Sequence, residues 1–97
     1  MSKFVATAIA AVATAAAAVV TSAEPPAGAA ACSGCHPAST RVTSPVPRLA
    51  GLDRAAIVRA MQDFRSGTRA ATVMDRIAKG FTDAEIQAIA AWYATQR

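Results

Sequence analysis

Two thiols and an imidazole lie within the five-residue stretch Cys32-Ser33-Gly34-Cys35-His36. Two residues between the cysteines place both sulfur atoms on one side of a tight helical turn, and the next residue projects its ring toward that side. This spacing is typical of covalent haem attachment, in which the thiols add to two vinyl groups and the imidazole ligates the iron. We therefore predict one covalent haem c, attached through Cys32 and Cys35, with His36 as an axial iron ligand.

Other uses of the two cysteines are less well supported. A structural zinc site needs four ligands, and the chain has only two cysteines and one histidine, so zinc would require a carboxylate or a second chain. A thioredoxin-like pair belongs to a βαβ unit, and no stretch of this sequence alternates with the period of a strand. A disulfide between positions 32 and 35 would close almost no loop and stabilise little. The motif therefore favours haem over zinc or a disulfide.

The second axial ligand of the iron has several candidates. His36 is the only histidine, which excludes two histidine ligands from one chain. Met61 lies on the apolar stripe of a predicted helix, where a thioether usually fills the core. Met74 follows an irregular segment that can fold across the other haem face, and we predict it as the ligand. Met61, Lys79, the amino terminus of the processed chain, and an open or water-bound site remain alternatives.

The sequence around the motif predicts an all-α domain. The segment from Ala29 to Cys35 allows little more than two turns of helix, and a proline-rich loop follows from Pro37 to Leu49. Asp53 can cap an amphipathic helix that ends near Ser66-Gly67. A short helical piece is predicted from Asp75 to Lys79, and a capping box at Thr82-Asp83-Ala84-Glu85 begins the last helix. The apolar residues of the two long helices recur at helical spacing: Ile57, Ala60, Met61, Phe64, and Ile86, Ile89, Ala90, Tyr93.

The first 23 residues have the composition of a secretory signal peptide. Lys3 precedes an uncharged apolar run from Phe4 to Val20, and small residues follow up to Ala23. We expect residues 1–23 to be removed and residues 24–97 to form one monohaem domain in the periplasm. The run is short and weakly hydrophobic for a membrane span, so no span is expected in the processed chain.

Composition and charge exclude several functional classes. The formal net charge is +4, but the arginines are spread from Arg41 to Arg97 without a basic helix, so nucleic acid is not an expected partner. The sequence has no paired carboxylates, no nucleophile beside a base and no phosphate-binding glycine loop. We therefore expect no enzyme activity from this chain by itself.

Three further segments resemble the small bacterial class I cytochromes c. They are Pro47-Arg48-Leu49-Ala50-Gly51-Leu52, Met61-Gln62-Asp63-Phe64-Arg65-Ser66-Gly67-Thr68-Arg69 and Val73-Met74. The resemblance covers Ala31 to Arg97 and implies a small class I cytochrome c fold wrapped around one covalently attached haem c. It places Met74 at the family's axial position. His/Met ligation raises the reduction potential and fills both axial positions, so the expected chemistry is one-electron transfer.

Within this family, residues Val73 to Phe81 look most like the cytochrome subunit of flavocytochrome c sulfide dehydrogenase. That resemblance implies an FAD-containing sulfide dehydrogenase subunit as partner, with FAD on the partner only, and a soluble electron acceptor such as another cytochrome. The alternative is a free periplasmic electron carrier. A haem sensor would instead require an open iron site. The family's first helix is longer than Ala29 to Cys35, which leaves open whether the helix crosses the C-terminal helix here.

Several second-sphere residues are also predicted. The carbonyl of Pro45 or Pro47 can accept the ring N–H of His36, and the place of Pro47 in the resembling segment favours Pro47. Arg65 and Arg69 either bind the haem propionates or are simply solvated. For Trp92 we expect helix packing, with contact to a partner subunit as the alternative.

Overall fold

The computed structural model describes residues 2–16 and 24–96, which contain four α-helices and no strand. The helices are α1 (Ala29–Cys32), α2 (Arg54–Ser66), α3 (Met74–Lys79) and α4 (Asp83–Thr95). The all-α prediction is confirmed for these residues. Residues 2–16 form no helix and expose their large apolar side chains, and the predicted cleavage site after Ala23 lies outside the described residues. None of the helices within the described ranges is long and apolar enough to cross a membrane.

Local capping chemistry sets both ends of α2 and the start of α4. Asp53 Oδ2 accepts the backbone N–H of Ala56 at 3.1 Å, and Gly67 ends α2 with a left-handed φ of 80°. At α4, Glu85 N–H donates to Thr82 Oγ1 at 3.2 Å, while Thr82 N–H donates to the Glu85 carboxylate at 3.0 Å. The predicted caps and capping box are confirmed.

Replacing Glu85 with glutamine is expected to remove part of the acid sensitivity of the fold. Hydrogen bonds from Thr82, first from its backbone and then from its side chain, hold the pKa of Glu85 below its usual range. Such a carboxylate stabilises the fold above its unfolded pKa, and this stability is lost as pH falls through the folded pKa. Glutamine keeps the acceptor but not the charge. The Tm difference between wild type and Glu85→Gln, measured on haem-loaded protein, should shrink from about pH 6 to about pH 3. A difference that does not change with pH would contradict this account.

The two short helices differ slightly from the prediction. Helix α1 ends at Cys32 rather than Cys35 because the next bonds, from Gly34 N–H to Ala31 and from Cys35 N–H to Cys32, span only three residues. Helix α3 begins at Met74 rather than Asp75, after Val73, which makes no side-chain cap. Neither a three-residue turn at the end of a helix nor an uncapped start has a capping residue by which the sequence could mark the boundary.

The core lies where α1, α2 and α4 meet. Helix α2 packs against both α3 and α4. Trp92 is half-buried against this core, with its ring edge-on to Tyr93 at 4.8 Å between centroids, so the expected packing role of Trp92 is confirmed. The buried side chains of the core are Ala29, Ile57, Val58, Ile86, Ile89, Ala90 and Tyr93.

The short α1 nevertheless contacts the C-terminal helix. Ala29 is fully buried, and its carbonyl accepts the hydroxyl of Tyr93 at 2.6 Å. Gly28 has a left-handed φ of 85°, and a Cβ there would lie 2.5 Å from the Phe81 ring. Glycine therefore permits both the turn into α1 and its close approach to the core. Helix α1 therefore contacts α4 through Ala29.

Tyr93→Phe is expected to lower the free energy of unfolding by about 1–3 kcal/mol, because it leaves the Ala29 carbonyl without this donor in a buried site. Burial raises the pKa of Tyr93, so the hydroxyl keeps its proton at neutral pH. Thermal unfolding of the haem-loaded protein measures the loss. Thr95→Val is the matched control, since Thr95 makes only exposed local bonds, to the Trp92 carbonyl and from the Gln96 amide. Equal Tm values for Tyr93→Phe and wild type would exclude a stabilising role for this bond.

Candidate haem site

One mainly apolar cavity of about 750 Å³ brings together the predicted site residues. Cys32, Cys35 and His36 line it from α1 and the following turn, and Met74 lines it from the start of α3. Apolar residues of α2 and α4 complete the walls. Four residues chosen from sequence therefore lie around one space, although α1 and α3 are far apart in the chain.

The imidazole of His36 is oriented by a backbone carbonyl. Its Nδ1 lies 2.5 Å from the Pro47 carbonyl oxygen, so the predicted contact is present and it is made by Pro47 rather than Pro45. A carbonyl can only accept, so Nδ1 carries the proton in this bond. The lone pair is then on Nε2, which suits that atom to ligate a metal. The backbone N–H of His36 donates to the Cys32 carbonyl at 2.9 Å and continues the helical turn.

The loop that carries Pro47 is held by the C-terminal helix. Gly51 N–H donates to the Tyr93 carbonyl at 3.0 Å, and Gly51 has a left-handed φ of 76°. Tyr93 thus binds two segments, Ala29 through its hydroxyl and Gly51 through its carbonyl. These are the segments before and after His36, so Tyr93 positions both sides of the ligand. Helical periodicity placed Tyr93 on the apolar stripe, but nothing in the sequence indicates these distant partners.

The two thiols have different surroundings. Cys32 is half-buried and its Sγ donates to the Gly28 carbonyl at 3.6 Å, whereas Cys35 is exposed. Burial raises the pKa of the Cys32 thiol, although hydrogen bonds partly oppose this effect. Both cysteines are free and both line the cavity. The thiols are therefore available for attachment to a group placed there.

Both candidate methionines line the cavity. Met61 is half-buried on α2 and packs against the core cluster, as expected for a space-filling thioether. Met74 is the first residue of α3 and does not contribute to that cluster. This difference favours Met74 as the residue free to ligate, and Met61 remains the alternative.

Arg65 and Arg69 occupy different environments. The Arg65 guanidinium lies 2.6 Å from Asp83 Oδ1 and donates to the Phe81 carbonyl at 3.0 Å, so it is neither simply solvated nor free for a propionate. Arg69 lines the cavity, with its guanidinium carbon 4.8 Å from the centre of the Phe64 ring. Of the two, only Arg69 remains a candidate for a propionate. The pairing of Arg65 with Asp83 joins residues on different helices, which periodicity does not reveal.

The residues present fit a haem. The volume lies within the roughly 300–1,000 Å³ of small-molecule and cofactor pockets, and apolar side chains dominate the walls. An imidazole with Nδ1 engaged and a thioether are ligands suited to haem iron, and two free thiols are suited to covalent attachment of the porphyrin. Within residues 2–16 and 24–96, no cluster of three or more His, Cys, Asp or Glu side chains could hold a metal ion.

Comparisons with known proteins point to cytochromes. The chain is 40% identical over 62 residues to the cytochrome subunit of sulfide dehydrogenase from Chlorobaculum tepidum, covering 64% of this chain and 56% of that protein. It is 37% identical over 65 residues to cytochrome c-552 from Acidithiobacillus ferridurans, covering 67% of this chain and 28% of the relative. It is 40% identical over 65 residues to the thiosulfate dehydrogenase electron acceptor from Stutzerimonas stutzeri, covering 65% of this chain and 30% of that protein.

Each match covers only part of the relative's length. The chain spans just over half of the first relative and less than a third of the other two. No family model matches the chain. The attachment motif, the helical fold and these similarities together show that the chain resembles the c-type cytochromes, among them the cytochrome subunit of sulfide dehydrogenase.

Proposed function

We propose that this chain is an exported electron-transfer cytochrome c with one covalently attached haem. The observation that carries the proposal is the cavity that gathers Cys32, Cys35, His36 and Met74. A bound haem c supplies reversible one-electron exchange between ferric and ferrous iron. With His36 and Met74 both bound to the iron, the haem would have no free position for a substrate, which fits electron transfer rather than catalysis.

The residues of the chain have distinct roles in this proposal. Cys32 and Cys35 form the thioethers, and His36 ligates through Nε2 while Pro47 holds Nδ1. Met74 supplies the second axial ligand. Apolar residues such as Ile57 and Ile89 exclude water from the cavity, which favours the less charged, ferrous state of the iron. This effect and the thioether ligand both raise the reduction potential.

We further propose that the electron donor is an FAD-containing sulfide dehydrogenase subunit. Support comes from the similarity to the Chlorobaculum tepidum protein and from the resemblance across residues 73–81. In this role the partner oxidises sulfide, and the chain takes the electrons one at a time and passes them to a soluble acceptor.

The second candidate is a free periplasmic electron carrier. It is favoured by the similarity to the thiosulfate dehydrogenase electron acceptor of Stutzerimonas stutzeri, whose name describes an acceptor rather than a subunit. The two candidates share the haem site and differ only in whether the donor stays bound.

Recovery of the tagged protein from the periplasm of its own organism tests both candidates. A stoichiometric flavin-containing partner, with haem reduced on addition of sulfide, supports the subunit role. Haem protein recovered alone, reducible by dithionite but unaffected by sulfide, supports the free carrier. A recovered chain without any covalent haem would overturn the electron-transfer proposal itself.

A further inference from the structure

The helix that carries Met74 is short, and half of its residues are exposed. Helix α3 has six residues, and Ala78 is its only buried one. Val73, at its N-cap, makes no side-chain hydrogen bond and is 52% exposed. Helix α3 packs against α2, but its position must also depend on the segments that join it to the rest of the chain.

Arg65 binds the segment that leaves α3. It lies in the last turn of α2, and its Nη2 donates to the Phe81 carbonyl at 3.0 Å while Nη1 lies 2.6 Å from Asp83 Oδ1. Gly80 ends α3 and Asp83 begins α4, so the guanidinium engages both ends of this short connection. A planar fork that uses two nitrogens fixes orientation as well as distance, which a lysine ammonium does not.

The Arg65 side chain is part of the packed structure rather than a solvated surface group. Its side chain is 31% exposed, and its Nε is buried without a hydrogen-bond partner among the described residues. Phe81, whose carbonyl it holds, packs against the core and lines the same cavity as Met74. Displacement of this connection would therefore move both a cavity wall and the end of α3.

We propose that Arg65 is a positioning residue that keeps the Met74 sulfur at the iron by fastening Phe81 and Asp83 to the end of α2. The inference rests on the proposed function, because it takes Met74 as the ligand. Arg65 does not touch the haem in this role. It acts by limiting the motion of α3, so that the thioether competes well with external ligands for the iron.

Imidazole binding to the ferric, haem-loaded protein tests this role. Imidazole displaces a weakly held methionine, so its apparent affinity rises as Met74 ligation weakens. We expect Arg65→Gln to bind imidazole about fivefold to tenfold more tightly than wild type, with Arg65→Lys in between. Arg54→Gln is the matched control, since Arg54 also joins α2 to α4, through Gln87 at 3.0 Å, but does not bind the connection between α3 and α4. It should bind imidazole as wild type does.

Asp83→Asn provides a second, milder variant at an exposed residue and keeps the test available if Arg65→Gln does not take up haem. It should also tighten imidazole binding, and the double variant should add little to Arg65→Gln. A lower Tm with unchanged imidazole affinity in Arg65→Gln or Asp83→Asn would overturn the inference. Unchanged imidazole affinity in Met74→Ala would instead show that Met74 is not the ligand, which is a failure of the proposed site.

Discussion

Met74→Ala is expected to convert the ferric haem from low spin to high spin at neutral pH. Loss of the thioether leaves an open or water-bound position, and water is a weaker ligand. The reduction potential should also fall by about 100 mV or more, because the axial ligand is the main determinant of a range of roughly 0.8 V. Visible absorption spectra and a potentiometric titration of the purified protein measure the two effects.

Met61→Leu is the control for this experiment. Leucine retains most of the volume that Met61 fills beside the core, so we expect a low-spin spectrum and a stability cost below about 1.5 kcal/mol. A high-spin spectrum in Met61→Leu, together with an unchanged Met74→Ala, would exchange the roles assigned to the two methionines.

Replacement of both cysteines, Cys32→Ser with Cys35→Ser, is expected to abolish covalent haem and with it the native fold. No sulfur remains to form a thioether, so haem staining after denaturing electrophoresis should be absent. A domain this small is marginally stable. Without haem, the apolar walls of the cavity of about 750 Å³ lose the group that they would pack against. Far-ultraviolet circular dichroism should therefore show a large loss of helix.

Ser33→Ala is the matched control within the same motif. Ser33 lies between the cysteines, is exposed, and donates only to the Ala30 carbonyl at 2.6 Å. We expect full haem staining and native helix content. Covalent haem retained by the double cysteine variant would rule out these thiols as attachment sites.

Local chemistry explains why much of the fold could be predicted from the sequence. Asp53, Gly67 and the Thr82 capping box mark helix ends by interactions within a few residues, and these predictions are confirmed. The end of α1 differs from its prediction by three residues, because the chain tightens there into three-residue turns, and the start of α3 differs by one, because Val73 makes no side-chain cap.

In the candidate site, too, local features were predictable and contacts between distant residues were not. Cys32, Cys35 and His36 form a local motif, whereas Met74 was selected from a few possible ligands, and the structure places all four around one cavity. Their roles toward iron remain predictions. The supporting contacts were not predictable, because they join distant parts of the chain. Arg65 and Asp83 are 18 residues apart, and Tyr93 and Ala29 are 64 apart.

The bonds of Tyr93 have a consequence for the order of events during biosynthesis. Proteins emerge from the ribosome with the N-terminal side first, so Cys32 and Cys35 are made well before their anchor on α4. Until Tyr93 reaches Ala29, 64 residues earlier in the chain, α1 lacks that anchor and the Cys32 thiol is not yet buried beside it. Helix α4 then fixes α1, which is synthesised before it. Both cysteines can therefore react with haem before Cys32 becomes half-buried.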